Sequence, residues 1–314
     1  TSSQEIPIGY KRNYSHQARS PLPPLGLLYL SGHLKSKHEV KVLDMAVAGQ
    51  ELSALPSVIS SFCPDLVGVT AVIGLWPTVV EIFNLVKKIN PSIYTVVGGP
   101  NATQYPEETL SLKTIDFLIT GIGQLPLMTL CNQLEQGQPG DGIENCFLQG
   151  GSYAGNYCTV YSPAYNLDEF ALPDRKAVPF DLYRIGFCPD NPTTTMVTSM
   201  GCPFRCAFCD CHNQNLQLRA AEKVVDEIAA VAGLGIKSIL FQDELFTLKA
   251  QRVKQICEAL IKRRILIHWS VKSRVDCLQD WMPALMKKAG CFNIHFGIES
   301  GNNATLARMK KGYN

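Results

Sequence analysis

Long apolar runs are missing from this sequence. No eighteen consecutive apolar residues occur, so no membrane-spanning helix is expected. The opening residues TSSQEIPIGYKRN are polar and contain no apolar core of the kind that marks a secretory leader. Charge is scarce and balanced: charged residues make up 18% of the chain, the net charge is +2, and no block of one sign appears. That excludes an extended nucleic-acid surface, and no nucleic-acid partner is expected. The longest basic run, Lys262 to Arg264, falls late in a predicted helix, where it complements the dipole. Also absent is a second cysteine or histidine pair at the spacing of a zinc ribbon or finger.

Cysteine itself is plentiful, with 12 in 314 residues. Secreted disulfide scaffolds are smaller and denser in cysteine, so reduced thiols and a cytoplasmic location are expected. The scattered thiols Cys63, Cys131, Cys146, Cys158, Cys257, Cys277 and Cys291 read as small buried apolar residues. Hydrophobic content of 46% suits globular structure, and the length suits two cores.

The first half alternates helical stretches with short β-branched runs. Residues 23–37 read as a helix, 39–44 as a strand, 50–62 as a helix and 65–71 as a strand. In 77–90 the positions Val80, Ile82, Phe83 and Val86 mark a helical face. Strands follow at 94–100 and 116–121, each with glycine near its end. This alternation predicts a parallel sheet covered on both faces, with ligands at the carboxyl ends of its strands. Glycines there also fit ordinary turn chemistry. Residues 135–192 are rich in Gly, Pro, Asn and Tyr and read as a small hairpin extension and a linker. From 193 the alternation resumes, with strands at 193–199, 237–243, 267–276 and 291–300, each followed by a helical pattern. The fold class is therefore α/β: a Rossmann-like domain over 1–134, the extension and linker over 135–192, and the first part of a parallel βα barrel over 193–314. Four units leave a barrel open, and the sequence reads as part of a longer chain.

The stretch GCPFRCAFCDC at 201–211 follows the first strand of that barrel. Cys202, Cys206 and Cys209 stand as C-x3-C-x2-C, at the carboxyl end of the strand, where barrels place their chemistry. Such thiols hold iron–sulfur clusters, zinc or a redox centre. A 4Fe–4S cluster held by three cysteines keeps one iron open for another ligand.

With Phe208 before the last cysteine, the motif resembles the radical S-adenosylmethionine (SAM) superfamily. The resemblance implies that Cys202, Cys206 and Cys209 ligate a 4Fe–4S cluster, with SAM chelating the open iron. Electron transfer to SAM then gives a 5′-deoxyadenosyl radical. The Phe208 backbone would lie against adenine. In FQDELFT, Asp243 and Glu244 match the family's acidic turn and would accept from the methionyl ammonium; the alternative is an acid-rich helix start. In WSVKSRVD, Lys272 and Arg274 are placed to meet the cofactor carboxylate, or to form rim salt bridges. GIESG at 297–301 matches the family's fourth strand, with Glu299 as the candidate for the ribose hydroxyls or the methionyl group. Cys211 lies outside the three-cysteine pattern, as a bystander or a labile fourth ligand.

PPLGLLYLSGHL, LVGVTA, VVGGPNAT and DFLITGIGQ resemble the cobalamin-binding domain of cobalamin-dependent radical SAM enzymes. The family likeness covers roughly residues 21–130 and 193–312. It implies cobalamin over the strand ends, with Gly98, Gly99, Gly121 and Gly123 allowing close backbone approach and Thr70 donating to the corrin or its tail. Gly121-Ile122-Gly123-Gln124 has lost the acids of the family's G-E-G-E, Asn101 stands where histidine is common, and no D-x-H-x-x-G motif occurs. A purely structural Rossmann-like domain is the alternative. The implied activity is methyl transfer to a small-molecule or natural-product substrate, with an external one-electron reductant of flavodoxin or ferredoxin type. A radical cyclase, oxidase or rearrangement enzyme, and a non-catalytic iron–sulfur electron-transfer or binding protein, are the competing readings.

Overall fold

A computed structural model describes residues 22–49, 51–150, 166–209 and 216–314. The first half holds helices α1 (Leu25–Leu34), α2 (Met45–Ala48), α3 (Leu55–Phe62), α4 (Trp76–Ile89), α5 (Pro100–Gln104), α6 (Pro106–Leu110) and α7 (Gln124–Glu135). Its strands are β1 (Leu66–Thr70), β2 (Tyr94–Gly98), β3 (Phe117–Ile119) and β4 (Cys146–Leu148), in that order across one sheet. β1, β2 and β3 are parallel, and β4 runs antiparallel on the edge. The expected hairpin over 137–157 is thus, where described, a single strand paired to β3; residues 151–165, Cys158 among them, lie outside the described residues.

Apolar residues cover both sheet faces, as alternation of strand and helix demands. Leu34, Leu127 and Leu130 pack with Val96, Phe117 and Ile119 on one face; Val79 and Phe83 pack with Val97 and Leu118 on the other. The inward stripe of α4 is Val79, Phe83 and Val86, so Val79 takes the deep position read for Val80. The strand expected at 39–44 makes no ladder, although Val40, Val42 and Leu43 pack against three apolar clusters. Its alternation reflects packing along the sheet, without backbone pairing. Cys63 also departs from expectation: it is exposed, at φ 51° on the C-cap of α3.

The second half forms a parallel sheet in the order β10 (Cys291–Phe296), β9 (His268–Ser273), β8 (Ser238–Phe241), β5 (Thr193–Met196). A short antiparallel pair, β6 (Ser199–Met200) with β7 (Gln217–Leu218), brackets the cysteine loop. Helices α8 (Ala221–Gly233), α9 (Ala250–Lys262) and α10 (Met282–Lys288) cover the outer face, and α11 (Asn303–Arg308) follows β10. Val224, Ile228 and Val231 of α8 and Val253, Ile256, Cys257 and Leu260 of α9 meet Met196, Ile239, Phe241, Trp269 and Val271 from the strands. Strand alternation turns Leu240 and Phe292 to the opposite, inner face with Ile185 and Cys188.

Residues 166–192, read as linker, strap the two halves together. Asp174 accepts from Ser31 at 3.3 Å and pairs with Lys35 at 3.1 Å, and fully buried Tyr183 donates to Asp44 at 2.8 Å. At Gly32 a Cβ would stand 2.1 Å from the Leu172 carbonyl oxygen, so only glycine lets α1 approach the strap. Beneath it lies a buried ion network. Glu227 is 0% exposed and bridges Arg175 at 2.7 Å and Arg219. Burial pushes the Tyr29 phenol up, and the Glu227 charge adds to the effect, which places α1 beside this network.

Removing one member of a buried ion network leaves the others uncompensated. Glu227→Leu is expected to destabilise the protein by about 3–5 kcal/mol, read from anaerobic denaturant unfolding. A loss below about 1 kcal/mol would contradict a load shared between Arg175, Glu227 and Arg219.

Candidate functional site

The cysteine loop leaves the sheet after β5, so the backbone from Thr195 to Ser199 cannot complete its pairing by ladder bonds alone. Polar side chains replace them. Arg175 donates to the Thr195 carbonyl at 3.1 Å, Arg219 to that of Val197 at 3.2 Å, and Arg252 to that of Thr198 at 2.9 Å. Asp243, fully buried just after β8, accepts from the Thr198 amide at 2.6 Å and hydroxyl at 2.5 Å and from the Ser199 hydroxyl at 2.6 Å. Thus Asp243, expected to face the methionyl ammonium, spends its oxygens holding the loop's entry.

Beyond this anchor, Gly201 at φ 84° turns the chain into the three cysteines. Cys206 is buried; Cys202 and Cys209 are partly exposed. Burial raises the Cys202 thiol, and the neighbouring Cys209, Cys206 and Glu244 add to the rise, so these groups lie together in space. Burial likewise raises the Glu244 carboxyl, with Asp243 reinforcing and Lys272 opposing that shift. Among the described residues no three His, Cys, Asp or Glu side chains converge as single-ion ligands. Cys211 lies outside the described residues.

Two buried cations lie near the cysteine loop, one at Cys206 and one over Phe208. Arg274, 6% exposed, lies with Nη1 at 3.7 Å from Cys206 Sγ and its guanidinium 3.7 Å from the Phe204 ring centroid. Lys311, 4% exposed, sits 3.4 Å from Glu299 and 5.8 Å over the Phe208 ring. Phe208 itself is 53% exposed on the loop. Glu299 occupies the left-handed region at φ 64°, and a Cβ on Gly297 would stand 2.7 Å from its Oε1. The first glycine of GIESG therefore makes room for the glutamate to fold back to Lys311. Tyr313 donates to the Gly297 carbonyl at 2.8 Å, and the Ala207 amide donates to that of Met309 at 2.9 Å, which closes the 309–313 segment over the loop. Three neighbouring thiols with a buried guanidinium at Cys206 form a donor set suited to an anionic cluster, and the residues fit that cofactor.

Of the residues marked in this half, Cys202, Cys206, Cys209, Phe208, Glu244, Lys272, Arg274 and Glu299 gather around the loop, with Asp243 beneath it. Sequence reasoning missed Arg175, Arg219, Glu227, Arg252, Asp276, Lys311 and Tyr313. A signal existed for Glu227, a charge on the apolar face defined by Val224, Ile228 and Val231. Arg252, four residues before Ile256, carries the same signal. Lys311 had none.

In the first half, Thr70 is paired in register with Gly98, and Gly121 donates its amide to Thr103 at 3.2 Å at the end of β3. Gly99 has φ 94°, and a Cβ there would stand 2.7 Å from Thr70 Oγ1 and 2.9 Å from the Ala71 backbone. Internal packing already demands that glycine. A Cβ on Gly98 would meet the Ile119 carbonyl at 3.3 Å. Gly123 is different: its Cβ would find only ordinary contacts at 3.5 Å and beyond. Around these strand ends Val72, Leu75, Tyr105 and Leu125 are exposed. Exposed apolar side chains that follow glycine-rich strand ends in the chain suit the face of a corrin ring.

Comparison with known proteins agrees with this geometry. The B12 binding domain model matches residues 14–130 and the radical SAM superfamily model residues 196–314. The chain belongs to the radical SAM enzymes that carry a B12-binding domain, a class whose cofactors are a 4Fe–4S cluster, SAM and cobalamin. An uncharacterized methyltransferase of Pyrococcus horikoshii is 32% identical over 92% of this chain and 63% of its own length. The anaerobic magnesium-protoporphyrin IX monomethyl ester cyclase of Rubrivivax gelatinosus is 29% identical over 92% of this chain and 54% of its own. Among solved structures, the cobalamin-dependent SAM radical enzyme OxsB superposes with a TM-score of 0.77 at 23% identity, over 94% of this chain and 44% of that one. The radical SAM methyltransferase TsrM of Kitasatospora setae gives 0.72 at 20%, over 92% and 59%. The chain thus spans between 44% and 63% of the length of these relatives. Among the described residues, no helix is long and apolar enough to cross a membrane.

Two substitutions test the site's framework. Asp243→Ala strands an amide and two hydroxyls without their acceptor and is expected to lower stability by about 2–4 kcal/mol and to reduce iron bound after reconstitution. Gly99→Ala is expected to cost about 1–3 kcal/mol, whereas Gly123→Ala leaves the melting temperature near that of the unmodified protein. Equal melting temperatures for Gly99→Ala and Gly123→Ala would contradict the packing described at Thr70.

Proposed function

We propose that this chain is the cobalamin-binding and radical-generating part of a SAM-dependent methyltransferase acting on a small-molecule or natural-product substrate. The observation that carries the proposal is the thiol trio with the buried Arg274 guanidinium at Cys206, on the same chain as a B12-binding domain. When bound, the cluster with SAM supplies a 5′-deoxyadenosyl radical, and cobalamin supplies a transferable methyl group.

Cys202, Cys206 and Cys209 would hold the cluster by their sulfurs, on a loop fixed by Asp243 and the three arginines. Glu244, near Cys202, and Lys272, near Glu244, would offer a carboxylate and an ammonium toward the amine and carboxylate of SAM. Glu299 presents its carboxylate at the end of β10, oriented by Lys311, for a ribose hydroxyl. The Phe208 backbone, its ring exposed on the loop, would lie against the adenine of SAM. In the first half, the strand ends at Thr70, Gly98, Gly99, Gly121 and Gly123 would receive cobalamin, with the exposed Val72, Leu75, Tyr105 and Leu125 supplying apolar surface nearby in the chain. Electrons come from an external one-electron donor of flavodoxin or ferredoxin type.

A second reading rests on the 29% identity to the cyclase of Rubrivivax gelatinosus: the same radical applied to oxidation or ring closure. The products separate the two. Anaerobically reconstituted full-length protein, given SAM, reductant and substrate, is expected to form 5′-deoxyadenosine and S-adenosylhomocysteine together, with Cys206→Ala forming neither. 5′-Deoxyadenosine without S-adenosylhomocysteine favours the second reading. Neither product from protein with an intact cluster and bound corrin would overturn both.

A further inference from the structure

Arg274 follows directly on β9 and is committed on every side. Nε donates to Asp276 Oδ1 at 2.9 Å and Nη2 to Asp276 Oδ2 at 2.8 Å, a bidentate fork. Nη2 also donates to the Lys311 carbonyl. Nη1 points at Cys206 Sγ, 3.7 Å away and within hydrogen-bond reach of sulfur. One face of the guanidinium lies on Phe204, and Tyr313 stands 5.0 Å from it. The pairing holds the Asp276 carboxyl below the usual carboxylate range.

These contacts leave Arg274 little freedom to serve as the carboxylate clamp for SAM that its position on the strand suggested. They give it another task. A cationic donor on a cysteine that ligates an iron–sulfur cluster favours the reduced cluster, which carries one more negative charge. The effect is strong where the pair is dry, and here the guanidinium is buried. Asp276 moderates it, since its charge offsets that of Arg274 while fixing the fork's direction.

We infer that the Arg274–Asp276 pair sets the reduction potential of the cluster through Cys206, with Arg274 as a positioning residue that raises the potential and Asp276 as the charge that restrains the rise. The inference rests on the radical SAM reading of the loop. Because the same guanidinium holds the Lys311 carbonyl, the pair also ties segment 309–313, with its Glu299 partner Lys311, to the cluster ligand. Loop and segment are thereby linked through one side chain.

The test is an anaerobic redox titration of the reconstituted full-length protein without SAM, followed by electron paramagnetic resonance of the reduced cluster. Arg274→Gln keeps a donor and loses the charge; it is expected to lower the reduced-to-oxidised ratio at fixed ambient potential by about tenfold, a shift of about 59 mV to the negative for a one-electron couple. Asp276→Asn leaves the cation unopposed and is expected to shift the potential the other way. Arg274→Lys, a cation without the fork, is expected to fall between Arg274→Gln and the unmodified protein. A merely structural role for the pair would not give shifts of opposite sign. Unchanged potentials, or shifts of the same sign, in variants with full iron and sulfide content overturn the inference and leave the functional reading standing. Should Arg274→Gln assemble no cluster, the sign of the Asp276→Asn shift decides. An unmodified protein that assembles no cluster overturns the functional reading and this inference together.

Discussion

Everything distinctive about the second half depends on how the backbone between Thr195 and Ser199 is satisfied as it leaves the sheet. A buried carbonyl or amide without a partner costs about 1–3 kcal/mol, and a loop carrying cluster ligands cannot recover that from strand pairing. Here three arginines take the carbonyls and Asp243 takes the amide and two hydroxyls. Burying those charges requires counter-charges, and Glu227 supplies one between Arg175 and Arg219. The ion network is thus the consequence of exporting a loop from a sheet.

The same requirement joins the halves. Arg175 belongs to the strap over 166–192, which also grips α1 through Asp174 and Gly32. A segment with the composition of a linker is therefore rigidly committed: its arginine completes the cysteine loop's anchor, and Tyr183 is fully buried against the first half. Geometry at the cysteines and attachment of the cobalamin-type domain share one set of contacts. Interior charge placed this way specifies one arrangement of strap, strand and helix more than it adds stability.

At the loop's outer side the arrangement is built from cations and rings. Phe204, Arg274 and Tyr313 stack around Cys206, while Lys311 joins Glu299 to the Phe208 side. Glu299 takes a left-handed backbone conformation and Gly297 gives up its side chain to accommodate it. Backbone strain concentrated at such a strand end is common where a side chain must be aimed.

The sequence by itself determined the strand–helix alternation and the three thiols, because these depend on local periodicity and on spacing within one loop. The GIESG stretch and the glycine at 99 were legible too, though Gly99 is required by contact with Thr70 and Ala71. Local pattern failed at 39–44, where alternating burial arose without strand pairing, and at Cys63, where a cap position left the thiol exposed. Only the tertiary structure decided that Asp243 faces the loop's backbone, that Arg274 meets Cys206, and that Lys311 reaches Glu299. Those partners lie 45, 68 and 12 residues apart. A charged side chain finds its partner by where the sheet delivers it, and no periodicity in the chain encodes that distance.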